Sequence, residues 1–409
     1  MDGESASYPY ARHGKVGKYD SRTEVLTQIP RGEPMIGRRH QVALALTVVL
    51  TAAAACSQQA RQDSGRRGAA GPPGGRGFTL VATGDILTHP AVLERASSDA
   101  SGGGYDFRPM LSGVEPLVHD ADLALCHLED GAGGAAPLAP PQLAQDLAMT
   151  GYDGCATASE HALDNGADGI RGTLDTLDAA GLKHVGTARS ADESRRPALY
   201  RAGSATVAQL SYTFDTEQPL PNGQPWALGP IDADRITADA RAARKAGADV
   251  VVLSLHWGTN GDDAPTEDQA ALARRLTAAT DGHRPDIDLI LGAHTHVPQP
   301  YEKVNGTWVV YGLGDQISGE LDDGNGSRDP RGNESTLARF TFAPPARSGE
   351  RWRVTRAEFV PQLYDLDAGR VVDVDRAVAG GADLAGVRDR IRDVVLSRGA
   401  AQDGLVMGE

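Results

Sequence analysis

From Phe78 onward the chain alternates short apolar runs with stretches of helical periodicity. The runs FTLVATGD (78–85), ADLALCHLE (121–129), GCATASEH (154–161), ATVAQLSY (205–212), DVVVLSLHW (249–257), DIDLILGAH (286–294) and TWVVYGLGD (307–315) predict strands. Apolar positions recurring every three or four residues predict helices over 167–180, 232–247 and 266–281, with capping residues ahead and Gly or Pro behind. Strands alternating with helices predict an α/β fold with helices on the sheet faces. VVVLSL and LIL lack polar alternation, as expected of parallel strands covered on both sides. Further on, TLARFTFAPPARSGERWRVTRAEFVPQLYDL predicts two strands joined by a charged turn, an antiparallel edge to the sheet. DLAGVRDRIRDVVLSRG predicts a terminal amphipathic helix with Leu384, Val387, Ile391 and Val394 or Val395 on one stripe. Between them, LDDGNGSRDPRGNES (321–335) reads as a polar rim loop without the spacing of an EF-hand.

The first 77 residues carry no such pattern. Residues 1–34 are polar and aperiodic, and Met35 is read as the true start. After it, a basic start and an apolar stretch from Val42 to Ala55 form the h-region of a secretory signal, too short to cross a bilayer core of about 30 Å. The ending TAAAAC resembles a bacterial lipobox, with Ala53 at the usual leucine position and Cys56 as the lipidated residue; plain secretion and an uncleaved anchor are the alternatives. The expected organisation is a region upstream of the start (1–34), a lipoprotein-type signal (35–56), a flexible linker (57–77), the main domain (78–363) and a C-terminal extension carrying the amphipathic helix (364–409). The expected location is extracytoplasmic, lipid-anchored to the cell membrane or secreted.

Composition narrows the function classes. The 409 residues are 40% hydrophobic and 23% charged, enough for a full core, and the net charge of −15 excludes the basic face of a nucleic-acid binder. Three cysteines without C-x-x-C spacing exclude a zinc finger. With Cys56 assigned to lipid, Cys126 and Cys155 remain as a possible pair, though burial as free thiols beside strands is the expectation.

Polar residues recur where the predicted strands end: Asp85, Glu129, Glu160 with His161, His256, and the pair His294 and His296. Each alone has a structural reading, Asp85 as a helix cap, Glu129 as a solvated loop acid, His256 as a packed histidine beside Trp257. In an open α/β sheet, however, the ligand crevice lies outside the carboxyl ends of the strands. In an extended segment, His294 and His296 would also face the same way. Together these stretches deliver carboxylates and imidazoles to one rim, a ligand set for Zn, Mn or Fe, and two such ions about 3.5–4 Å apart could share a carboxylate and activate a water.

The motifs TGDIL, HLE, SEHALDNGADGIRGTLDTLDAAGLKHVGT, LHWG and GAHTHVPQPYEKVNGTWVVYGLGD follow in the order found in the CapA family of bacterial capsule and poly-gamma-glutamate synthesis proteins. That family is related to calcineurin-like metallophosphoesterases, and the chain resembles it over roughly 78–320. The resemblance implies a four-layer αββα metallophosphoesterase-like sandwich with two divalent metal ions. It implies Asp85, Glu129 (bridging), Glu160, His256, His294 and His296 as metal ligands, and His161 as the catalytic donor of a hydrogen bond or proton. The chain departs from the pattern at Leu87, where phosphoesterases have the second ligand of D-x-H, with His89 two residues on. It also departs at His127 for the Asn of N-x-E, at Glu160 for a ligating Asn, and at Asp315-Gln316 for Asn-Phe. The implied function is action in the synthesis or export of capsule or another envelope polymer, possessing a metal-dependent phosphoesterase-like site and partnered by the polymer or its synthesis machinery. The alternative is a catalytically silent metal- or polymer-binding scaffold of the envelope.

Overall fold

The computed structural model describes residues 75–129, 140–282, 284–322, 326–347 and 350–408. The signal-type segment with Cys56, the linker up to residue 74 and most of the loop after Glu129 (130–139) lie outside the described residues.

Strands follow the apolar runs. They are β1 (Phe78–Leu87), β2 (Leu123–Glu129), β3 (Gly154–Ala156), β4 (Lys183–Val185), β5 (Ala198–Ala202), β6 (Ala205–Thr213), β7 (Val250–His256), β8 (Leu289–Ala293), β9 (Tyr301–Val304), β10 (Thr307–Val310), β11 (Asp315–Ile317), β12 (Glu334–Ala343), β13 (Arg353–Asp365), β14 (Arg370–Asp373) and β15 (Leu405–Met407). One nine-stranded sheet runs β14-β13-β12-β1-β2-β3-β4, with β11 added to β1 and β15 to β13; a six-stranded sheet runs β9-β10-β8-β7-β6-β5. The longer helices are α1 (Pro90–Asp99), α2 (Pro141–Thr150), α3 (Gly166–Ala180), α4 (Ala233–Lys245), α5 (Glu267–Ala278) and α6 (Ala385–Leu396).

Three apolar layers separate four layers of secondary structure. Along β7, Val250 and Val252 face the layer between the sheets while Val251, Leu253 and Leu255 face the other way, the two-residue alternation of a strand buried on both sides. The middle layer holds Phe78 stacked on Phe342 (centroids 4.8 Å apart), with Phe340 against Trp308 across the sandwich. Outside the six-stranded sheet, Ile236, Ala240 and Ala243 of α4 and Ala273 and Leu276 of α5 close a third layer. Their termini are fixed locally: Asp232 accepts from Arg235 N–H at the start of α4, and Thr266 with Gln269 forms a capping box on α5. Outside the nine-stranded sheet, α1, α2 and α3 bury Val92, Leu147 and Leu174 against β1 and β2. The architecture is the expected αββα sandwich.

Four local expectations change. The run 154–161 is a strand only to Ala156; Glu160–Leu163 form a 3-10 turn, because Ser159 starts a helical turn. The run 307–315 is not one strand: the chain leaves the six-stranded sheet after Val310 and enters the other sheet at Asp315, where β11 lies parallel to the end of β1 with Asp315 opposite Asp85. The polar stretch 321–335 ends in structure, since Glu334 and Ser335 are buried at the start of β12. Cys126 and Cys155, expected as buried thiols, form a disulfide: β2 and β3 pair in a register that sets them directly opposite each other, with Cα atoms 4.4 Å apart, inside the range a disulfide spans. On α6, Ile391 and Val395 are buried, which settles the stripe in favour of Val395 over Val394.

Candidate metal centre

Asp85 is positioned by a close approach of two loops. Its N–H donates to Gly314 O at 3.0 Å, and a Cβ at residue 84 would stand 1.7 Å from that same oxygen, so only Gly84 permits the contact. The carboxylate is fully buried; Oδ2 accepts from His294 N–H (2.9 Å) and Oδ1 lies 2.7 Å from His127 Nδ1. In register, β2 places His127 opposite Asp85 and Glu129 opposite Leu87, both on the same face of the strand. His256 ends β7, and its ring stacks on that of His127 at 4.9 Å.

The pair His294 and His296 does not lie in extended backbone. β8 ends at Ala293, and both histidines have positive φ, 91° and 58°, a conformation non-glycine residues adopt at a cost and retain mainly at functional sites. Both rings nevertheless reach the centre, with centroids 6.1 Å apart. His294 Nδ1 is 2.8 Å from Glu160 Oε1, while Glu160 Oε2 contacts His256 Nε2. His296 Nδ1 bonds Asp315 Oδ1 at 2.8 Å. The segment after β6 braces this arrangement: Phe214 N–H donates to His256 O and Glu217 N–H to Glu160 O, each at 3.0 Å.

Every expected ligand is thus in one place. Asp85, His127 and His256; Glu160, His256 and His294; Asp85, His296 and Asp315; and Glu129, Glu160 and His161 each present ligand atoms within 4.8 Å of one another. Two of the structural readings fail: Asp85 caps no helix and Glu129, at 1% exposed, is no solvated loop acid, while His256 is wholly buried and packed, with Glu160 and His127 against its ring. His89, by contrast, is not at the centre. Its Nδ1 accepts from Ala91 N–H and caps α1.

The hydrogen-bond inventory fits a cation. His127 Nε2 faces the carbonyl oxygen of Ala158 at 3.1 Å and so must carry the proton. A neutral His127 then aims the Nδ1 lone pair at the Asp85 carboxylate 2.7 Å away, two acceptors facing each other. That contact requires either a second proton on the ring or a cation shared between them. Beyond the Asp85–His127 contact and that of His294 Nδ1 with Glu160 Oε1, Glu129 Oε2 and His256 Nδ1 are buried without a hydrogen-bond partner, although buried polar groups are normally paired. These donors are oxygen and imidazole nitrogen, the set that suits first-row divalent ions.

Crowding sets the charges. Burial, reinforced by repulsion from Asp85, Glu160 and Asp315, pushes the Glu129 carboxyl well above the usual carboxylate range. Burial opposes ionisation of Asp85 too, but His127, then His256 and His296, hold it down to about 2. Burial brings His256 down to about 4 despite its Glu160 partner. His296 goes the other way: Asp315 and Glu129 outweigh burial and raise it well above the usual imidazole value.

Three residues that the sequence reading left out of the site belong with it. His127 stands two residues before Glu129 and so shares its face of β2. Asp315 closes a run that reads as one strand from 307, which hides that it lies opposite Asp85. Asp164, whose Oδ2 is 2.9 Å from His161 Nδ1, orients that ring from one helical turn ahead; the i, i+3 spacing in EHALD was its only signal.

Comparison with known proteins finds a matching family and similar sequences. The model of the family described as bacterial capsule synthesis protein PGA_cap matches residues 79–320. The PGA biosynthesis protein CapA of Bacillus subtilis is 31% identical over 168 residues, 39% of this chain and 41% of the relative. The probable polyglutamine synthesis accessory protein MT0602 of Mycobacterium tuberculosis is 30% identical over 204 residues, 47% and 51% of the two chains. The alignments thus span about half or less of the curated relatives' length. Among solved structures, the calcineurin-like phosphoesterase YfkN of Bacillus subtilis superposes with a TM-score of 0.43 and 13% identity, over 78% of this chain and 98% of that one.

Proposed function

Because the chain belongs to the bacterial capsule synthesis protein family, matched over residues 79–320, we propose that it acts in the synthesis or export of an acidic envelope polymer of the poly-gamma-glutamate kind. In this reading it does so through a metal-dependent, phosphoesterase-like centre held outside the cytoplasmic membrane by lipid on Cys56. The observation that carries the reading is the buried cluster of carboxylates and imidazoles that brings ligand atoms of Asp85, His127, Glu129, Glu160, His256 and His294 together in groups no more than 4.8 Å across. Asp85, Glu129, Glu160, His256, His294 and His296 are the residues that would hold divalent metal, Mn, Fe or Zn, with His127 joining them. When bound, such an ion polarises a phosphoryl oxygen and lowers the pKa of water from 15.7 to about 7.

The chain's own residues supply the rest. His161 is partly exposed at the mouth of the centre, next to Glu129 and Glu160. With Asp164 holding Nδ1, its Nε2 is available to donate a proton or hydrogen bond to a departing oxygen. Asp315 does the same orienting work for His296. A generic aryl phosphate diester, assayed on the purified full chain with and without Mn, tests the hydrolytic half of the proposal. Mn-dependent turnover abolished by His161→Asn supports it; absence of turnover in a metal-loaded protein leaves the binding half.

Glu160 favours that second reading specifically. Where phosphoesterases have a neutral Asn, this carboxylate contacts both His256 and His294 and adds negative charge to the mouth. It strengthens cation binding and repels a phosphate. The scaffold reading therefore predicts tight metal and no turnover.

A further inference from the structure

A second concave site lies away from the centre, at the edge of the sandwich where β4 of one sheet approaches β5 and β6 of the other. β5 begins at Ala198, opposite Gln209, so residues 210–212 of β6 form an edge that β5 does not cover. Against this edge opens a cleft of about 730 Å3, within the 300–1,000 Å3 typical of small-molecule sites. None of the residues of the metal centre lines it.

Two buried polar atoms on its wall have no partner in the protein: Ser211 Oγ, on a residue only 4% exposed, and Trp226 Nε1. The space in front of Ser211 is preserved by Gly186, whose φ of +124° suits glycine and whose missing Cβ would stand 3.0 Å from that hydroxyl. An indole N–H can only donate, and a serine hydroxyl can donate, so the wall asks for an acceptor.

The charged lining sorts in the same direction. Its acids are already engaged: Asp178 and Glu193 both bind Arg189, and Asp239 accepts from Tyr212 OH at 2.8 Å. Among its cations, Arg195 contacts Asp192, and Arg235 sits 3.6 Å from Asp239 and over the Tyr212 ring. Lys183, 5.8 Å over the Tyr200 ring, and Arg196 reach no carboxylate among the described ion pairs and are exposed at the rim. The uncommitted groups of the cleft are thus donors and positive charges, in a protein of net charge −15.

We propose that this cleft is a second ligand site, which takes a small organic oxyanion with its acidic group between Arg196 and Lys183 and an acceptor atom against Trp226 Nε1 and Ser211 Oγ. Carboxylate and phosphate share this chemistry, and guanidinium binds either through paired hydrogen bonds. The site does not depend on the metal centre or on the reading given to it.

The four tryptophans make the proposal easy to test. Trp257, Trp308 and Trp352 are 2–6% exposed, whereas Trp226 is half-buried on the cleft, so a ligand there perturbs chiefly its emission. The full chain is titrated with a γ-linked glutamate trimer, glucose 1-phosphate, inorganic phosphate and neutral glucose, followed by intrinsic fluorescence and by calorimetry. Saturable binding of the trimer or the sugar phosphate is expected, the responding probe identifying which oxyanion is preferred. Lys183→Ala with Arg196→Ala should weaken it about tenfold or more, the worth of one lost charge-assisted hydrogen bond. Trp226→Phe should remove the fluorescence change while calorimetry still registers binding, and thermal melts of all variants control for folding. No saturable response to any probe by either method marks the cleft as solvent-filled only and overturns the proposal. So does binding that is unchanged in the Lys183/Arg196 variant, or equal binding of glucose.

Discussion

Replacing Glu160 by Gln keeps the side chain's size and removes the charge that touches both His256 and His294. Metal bound to the native state stabilises it by RT ln(1 + [M]/Kd). Loss of supporting partners around a metal typically weakens affinity 10–100-fold, and loss of a charged ligand should cost at least that. At saturating metal the stabilisation therefore falls by about 1.4–2.7 kcal/mol. For the compact unit spanning Ala70–Glu409, roughly 340 residues, the unfolding entropy is about 0.7 kcal/mol/K. The Mn-dependent rise in Tm should thus be about 2–4 °C smaller in Glu160→Gln than in the parent. The assay is calorimetric melting of both full-length proteins with chelator and with excess Mn. Each protein serves as its own reference, so any change in metal-free stability from losing the histidine contacts cancels. An equal Mn-dependent rise in the two proteins would refute the assignment of Glu160 as a ligand.

Other parts of the account are open to equally direct checks. The Cys126–Cys155 bridge closes a separation of 29 residues; chain-entropy arguments put its worth at about 3–4 kcal/mol, so Cys126→Ala with Cys155→Ala should lower Tm by about 5 °C, and melts that superimpose would deny the bridge. Burial and neighbouring carboxylates raise Glu129, and Asp315 and Glu129 raise His296, so metal binding competes with protons at both groups. Affinity should therefore rise with pH, and titrations in two buffers of different ionisation enthalpy should give different heats; identical heats contradict this. If the centre hydrolyses diesters, His161→Asn should lower turnover about 100-fold or more without changing metal content, and Asp164→Asn should lower it less while shifting the pH profile.

How much of this was readable in the residues depends on how local the signal was. The α/β class followed from apolar runs such as VVVLSL, because burial on both faces erases alternation and leaves a mark in the sequence itself, whereas the four layers came from the family resemblance. Asp85, Glu129, His256 and His294 were legible for a related reason: each closes or nears the end of such a run, and a sheet gathers its strand ends at one rim. What escaped was set by register and crossover. Nothing in CHLE and GCAT says that Cys126 falls opposite Cys155, since pairing register is a property of two strands and not of either one. TWVVYGLGD reads as one strand, yet Gly314, at φ +76°, turns the chain between the sheets and carries Asp315 to Asp85. His294 and His296 converge by left-handed backbone and not by the extended alternation that first suggested their pairing.

Metal content decides the central claim most directly. The purified full chain, and the variants Asp85→Asn and His256→Ala, are each incubated with Mn, Fe(II) and Zn in turn, freed of excess by gel filtration, and analysed by element-resolved mass spectrometry beside circular dichroism. The parent should retain at least one of these ions per chain, and both variants should lose it with their spectra unchanged. A folded parent that retains none of the three, or variants that retain as much as the parent, would contradict a metal centre built on Asp85 and His256.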